Sequence, residues 1–139
     1  MKLFFIALFI VSGIMAQENP SLTINISNIS STKGHLIIAV FKTDKNFLQK
    51  GSAFTNYSIV IEKDIESIKI TDLPKGTYAV SLFHDENSDE ECNRNFFGIP
   101  KEAFGFSNNV KPKLSAPSFN DCKFALTNDL VLDIALLNY

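Results

Sequence analysis

The sequence predicts an all-β protein: a single antiparallel β-sandwich of about seven strands with one long loop insertion. Three observations predict it. Short segments alternate apolar and polar residues with the period of two that a half-buried strand requires. Gly, Pro, Asn and Asp punctuate these segments at short intervals, where turns need preset or positive φ. No segment carries a convincing helical period.

The elements follow in order. Leu22, Ile24 and Ile26 alternate with Thr23, Asn25 and Ser27, and Ser30 to Gly34 reads as a turn. His35 to Phe41 is apolar on both faces, so it is expected at the centre of a sheet. Thr43 to Phe54 reads as a loop with one helical turn near Phe47 and Leu48. Tyr57, Ile59 and Ile61 alternate again, and Asp64 turns the chain into Ile65 to Ile70. Leu73-Pro74-Lys75-Gly76 is a strong turn signal before a strand over Thr77 to Phe83. Beyond the insertion, Phe119 to Leu126 and Leu130 to Leu137 read as strands, joined by a two-residue hairpin turn at Asn128-Asp129.

The 139 residues suggest one domain, Gln17 to Tyr139, behind a leader. Lys2, the apolar run Leu3 to Val11 and the small residues ending at Ala16 read as a secretory signal peptide over residues 1–16. The run is too short to span a bilayer, and no other segment is long and apolar enough. The chain is therefore expected in the periplasm or outside the cell. Removing Lys2 leaves 12 basic and 15 acidic groups, and this weakly acidic balance argues against nucleic acid as a partner. Two cysteines, Cys92 and Cys122, would meet an oxidising compartment, so one disulfide or two separate thiols are both open.

The insertion carries the candidate sites. Five carboxylates (Asp85, Glu86, Asp89, Glu90, Glu91) fall within seven residues. Asp85-x-Asn87-x-Asp89, with Glu91, offers oxygen ligands at alternating positions, as calcium loops do. An EF-hand type loop wants Gly where Glu90 stands and a bidentate Glu where Phe96 stands, so a solvated acidic turn is the competing reading. His84 beside Asp85 suits a general base of a hydrolase, a metal ligand, or a ring that simply orders the loop backbone. Phe96, Phe97, Phe104 and Phe106 suit an apolar-ligand or protein-partner surface, with His84 a candidate at its edge, or an annex to the core. Ser107-Asn108-Asn109 reads as a polar turn whose side chains bond the backbone, with Asn108 also a candidate for the ligand surface. No G-x-S-x-G nucleophile elbow occurs. Three N-x-S sequons, at Asn25, Asn28 and Asn56, are read as chance.

The runs G-T-Y-A-V-S-L-F-H-D-E-N, N-F-F-G-I-P-K-E-A-F-G-F-S-N-N and P-S-F-N-D-C-K-F resemble an exported bacterial family called domain of unknown function 2141. The resemblance covers nearly all of Ser21 to Leu126. It implies an exported single-domain β-sandwich, broadly similar to immunoglobulin-like and transthyretin-like domains, and no established activity. The family's loop resembles Asp-x-Asn-Gly-Asn-Gly; here Ser88 and Glu90 stand at the glycine positions. Cys92 and Cys122 depart from the family pattern, which is what a disulfide private to this chain would look like. The reading from sequence is thus a non-enzymatic binding or accessory module, with calcium as the one cofactor considered.

Overall fold

The computed structural model describes residues 18–95 and 98–138. The expected leader, together with Phe96 and Phe97, lies outside the described residues. Eight strands are described: β1 (Leu22–Ser27), β2 (His35–Phe41), β3 (Thr55–Val60), β4 (Glu66–Ile70), β5 (Gly76–Asp85), β6 (Phe104–Phe106), β7 (Phe124–Leu126) and β8 (Leu130–Ala135). A 3-10 turn, Ser107–Asn109, follows β6, and a one-turn helix α1, Phe119–Cys122, precedes β7. One sheet has the order β4-β1-β8 and the other the order β3-β2-β5-β6, with β7 pairing the start of β5. The protein is a β-sandwich.

The alternation in the sequence becomes the core. Leu22, Ile24 and Ile26 of β1, with Ile134 of β8 beside them in the same sheet, face Leu36, Ile38 and Val40 of β2 and Val80 and Leu82 of β5; each is fully buried. Aliphatic surface removed from water stabilises a fold by roughly 25 cal/mol per Å², so this layer supplies most of the driving force. The opposite face of β2 and β5 is buried as well. Phe41, Ala79, Phe104, Phe106, Phe119 and Cys122 form a second cluster there, with Phe47 and Phe83 packed against it. That accounts for the two-faced apolar run of β2.

The Phe104-Gly105-Phe106 strand shows the division at single-residue scale. Both rings join the second cluster, 5.7 Å apart edge-to-face. A Cβ on Gly105 would stand 2.8 Å from Cγ2 of Ile134 on β8. Only a residue without a side chain lets the two sheets close at this point.

Four expectations are corrected. Phe119 to Leu126 is a helical turn followed by a three-residue strand, because Ser118 and Asp121 make a capping box. The Ser118 hydroxyl accepts the Asp121 N–H, and the Asp121 carboxylate accepts the Ser118 N–H. Asn128-Asp129 does not close a hairpin: β7 pairs β5, while β8 crosses to pair β1 in parallel, from Leu22↔Leu130 to Ser27↔Ala135. Asp129 instead accepts the Ser21 N–H at 2.7 Å. Phe104–Phe106 is a strand within the expected loop. Finally, β5 runs on through His84 and Asp85, which pair with Leu36 and His35 of β2.

Candidate functional site

The insertion leaves the end of β5 and returns through β6, so everything it carries is anchored on the five-stranded sheet. Ser107 sits where β5 changes partners. Its outer edge pairs β7 over Gly76 to Tyr78 and β6 over Ser81 to Phe83. Val80 lies in the gap, and its N–H donates to the Ser107 hydroxyl at 2.9 Å. That hydroxyl lies against two carbonyls, Val80 and, nearer, Cys122, to which its one proton goes. One buried side chain thus replaces a missing strand partner and ties α1 to the sheet.

The next two residues extend the same task. The Asn108 amide donates to the carbonyls of Asp121 and Lys123, each at 3.0 Å. The Asn109 amide donates to Asp133 C=O at 2.7 Å and accepts Ala135 N–H at 2.9 Å. It imitates a strand along the outer edge of β8 and blocks an edge that would otherwise be open to pairing. The expected polar turn is therefore a structural staple, and Asn108 spends its amide inside the protein rather than on a ligand. Asn109 was not among the candidate residues; the Ser-Asn-Asn triplet after an apolar strand was its only signal.

At the other end, Asp85 is 1 % exposed and caps the acidic loop. Its carboxylate accepts the N–H of Asp89 at 3.1 Å and of Glu90 at 2.8 Å. Asp89 is held in turn by the Asn93 amide at 3.0 Å, the Glu91 N–H at 2.9 Å and the Asn87 amide at 2.8 Å. Those donors, Asn93 first, hold the Asp89 carboxyl below the usual carboxylate range. Glu91 pairs with Lys50 at 2.6 Å, and bond and charge together raise the Lys50 pKa. Asp85, Asn87, Asp89 and Glu91 are therefore brought together, but the first three are joined through hydrogen bonds of their own loop. Among the described residues, no group of three or more His, Cys, Asp or Glu side chains is placed to hold a metal ion.

Ser88 and Glu90 take positive φ, 58° and 61°. These are the positions where the family's loop resembles glycine, so this chain adopts a glycine geometry with larger residues. The β1–β2 turn packs closely on the same loop. A Cβ on Gly34, whose φ is +72°, would fall 1.9 Å from the Asp85 carbonyl oxygen. Ser88 Oγ lies 3.3 Å from Nδ1 of His35.

His84 is completely buried. Its Nε2 is 2.7 Å from the Lys33 carbonyl oxygen, and its backbone N–H donates to Ala103 C=O. The ring orders the β1–β2 turn and has no open path to a substrate. Cys92 and Cys122 are free thiols. Burial raises the Cys92 thiol, and burial followed by Asp121 pushes Cys122 up to about 11. Both are therefore poor nucleophiles, since the thiolate is the reactive form.

The described residues also form an apolar opening. A cavity of about 280 Å³ lies beside β8, lined by Phe106, Val110, Ala135 and Leu137, with Asn28, Asn109 and Lys111 as its polar members. Of the described candidate aromatics Phe106 borders it, while also packing with Phe104 in the second cluster. Lys111 carries no hydrogen bond or ion pair among the described residues.

Fold and site together define a β-sandwich whose long insertion is folded back and stapled onto one sheet. The chain belongs to the family described as an uncharacterized protein conserved in bacteria, domain of unknown function 2141, whose family model matches residues 24–132. No curated protein and no solved structure matches it.

Proposed function

We propose that this protein is an exported, non-enzymatic binding module that takes a small apolar ligand in the cavity beside β8. The observation that carries this reading is the cavity's chemistry: about 280 Å³ of space walled almost wholly by carbon. That lies just below the usual size range of ligand pockets, which are typically apolar with few polar groups. The insertion would then serve to build the pocket, since Phe106 and Asn109 are fixed by the same turn. Export is supported by Lys2, the apolar run after it and Ala16, and among the described residues no helix is long and apolar enough to cross a membrane. The test is a fluorescent dye sensitive to apolar pockets. It should bind the folded protein, be displaced by a medium-chain fatty acid, and fail to bind Ala135→Phe, which fills the cavity. Absence of displaceable binding in the wild type would sink the reading. For export, the amino terminus of protein recovered outside the cytoplasm should be Gln17.

A second reading puts a hard cation on the acidic loop, supported by five carboxylates in seven residues. Excess calcium should then raise the melting temperature of the wild type and leave Asp89→Asn unchanged. No rise in the wild type leaves the loop as a hydrogen-bonded cap.

A further inference from the structure

The outer edge of a sheet is a row of backbone N–H and C=O groups open to another strand, and folded proteins ordinarily blunt it. This chain does so edge by edge. Asn109 covers the outer edge of β8. On its far side β6 exchanges two backbone hydrogen bonds with Leu137, at 2.7 and 3.1 Å. The strand β7 has three residues. The strand β4 carries Lys69 on its exposed face and Glu66 at its start, charges of the kind that discourage a stray strand. None of these protections is found on β3. Among the described residues its one strand neighbour is β2. Its six residues, Thr-Asn-Tyr-Ser-Ile-Val, include no charge and no proline, and no positive φ interrupts them.

We infer that β3 is an interface between two copies of this chain, which pair it antiparallel across a two-fold axis and so join two five-stranded sheets into one. A two-fold interface must be complementary to itself. The strand meets that condition at its middle, because like charges placed opposite each other would repel and β3 has none. It meets it at its ends as well, which carry opposite charge. At the start, Nζ of Lys42 lies 3.9 Å from the centre of the Phe54 ring. Past the end, Glu62, Asp64 and Glu66 outnumber Lys63. Antiparallel pairing sets each basic start against the acidic end of the other copy, twice over, and such complementarity fixes register and partner. The exposed face adds apolar surface. Asn56, Ser58 and Val60 point outward on it, and Val60 is 62 % exposed. An axis perpendicular to the sheet keeps exposed face beside exposed face. Val60 of one copy then falls opposite the start of β3 in the other, where Phe54 is 49 % exposed. The strand lies at the far edge of its sheet from β6, which borders the apolar cavity, so this inference stands apart from the ligand reading.

The test is sedimentation equilibrium of the purified protein from about 1 μM to about 1 mM, over which the mass should rise from one chain to two. Asn56→Lys together with Ser58→Lys sets four ammonium groups along the seam and should weaken dimerisation about tenfold or more. Both side chains face solvent in a single copy, so the urea midpoint at low concentration should not move. A second readout needs no variant. In the wild type, amide exchange in β3 should slow as concentration rises through the dimerisation range, while β4 stays unchanged. Ala135→Phe, in the cavity, should leave the dimer as it is. A chain that stays single at the highest concentration overturns the inference and leaves the edge to a strand from another protein or to none. A dimer indifferent to the two lysines, or protection that appears in β4 and not in β3, overturns it as well.

Discussion

The two faces of the five-stranded sheet are built from different material. The inner face meets the β4-β1-β8 sheet through aliphatic residues, each at every second position of a regular strand. The outer face is covered by aromatic residues drawn from the β2–β3 loop, β6 and α1, with Phe41, Phe47 and Phe119 in edge-to-face chains at 4.9 and 5.7 Å. The inner layer repeats along strands, so every strand depends on every other. The outer layer joins pieces that have little secondary structure of their own, so it depends on the sheet while the sheet depends less on it. Truncation on the two faces should therefore differ in kind as well as size.

Leu82→Ala, on the inner face, should have the largest effect. The side chain is fully buried between the sheets, and such a change costs about 2–5 kcal/mol through lost burial and the cavity left behind. Urea unfolding should remain a single transition. Phe119→Ala, 8 % exposed on the outer face, should cost about 3 kcal/mol, the lower end for a buried aromatic. Its effect should be local: amide exchange should accelerate over Phe104 to Leu126 while β1 and β8 keep their protection. Equal loss of protection in β1 would show that the two layers unfold as one and break the comparison.

Ser107→Ala tests the joint between the layers. It removes the acceptor of the Val80 N–H inside the protein, and an unsatisfied buried donor costs about 1–3 kcal/mol. It also frees the Cys122 carbonyl, so α1 should lose exchange protection together with the middle of β5. A change confined to α1 would mean that β5 does not need the hydroxyl.

How much of this was legible follows the same division. The strands β1 and β2 could be read because burial on one or both faces imposes a pattern on consecutive residues. The strand β6 could not, because Phe104-Gly105-Phe106 is too short to alternate and owes its form to Ile134, about thirty residues on. The helix α1 was hidden because its capping box ends in Asp121 rather than the usual Glu or Gln, inside an apolar run that suits a strand. The turn at Asn128-Asp129 has hairpin chemistry, yet the strands it joins lie in different sheets, a matter of long-range pairing. The acidic loop was legible as composition. Its internal hydrogen bonds, and the burial of His84 and Asp85 beneath it, depend on the β1–β2 turn, whose approach Gly34 alone permits.

The acidic loop also offers a test by gain. Glu90 has φ 61°, a left-handed conformation that costs a residue with a side chain about 1–2 kcal/mol relative to glycine. Its N–H, which Asp85 accepts, is kept by any residue but proline. Glu90→Gly should therefore raise stability by about 1 kcal/mol, after the extra unfolded-state freedom of glycine is subtracted. A fall in the urea midpoint would mean that the Glu90 side chain contributes something beyond the backbone it strains.

The smallest effect expected is on pH dependence, and it returns to the two layers. Asp89, Asp121 and Asp129 all have carboxyls held below the usual range: Asp89 chiefly by Asn93, Asp121 by Ser118, Asp129 by the Ser21 N–H. A group with a lowered folded pKa binds fewer protons folded than unfolded in that range, so stability rises with pH there. Its contribution is complete above the unfolded value, about 3.9, and is lost as pH falls through the folded one. Their contribution to the urea midpoint should therefore be constant above about pH 5 and decline below about pH 4. All three groups are exposed, so the decline should be shallow. Asp129 ties the start of β1 to the turn before β8, whereas Asp121 caps α1 on the outer layer. Asp121→Asn should remove the acid sensitivity of exchange in α1 and leave that of β1 and β8, and Asp129→Asn should do the reverse. If either substitution flattens both, the carboxylates act on one cooperative unit, and the outer layer is as much a part of the core as the inner.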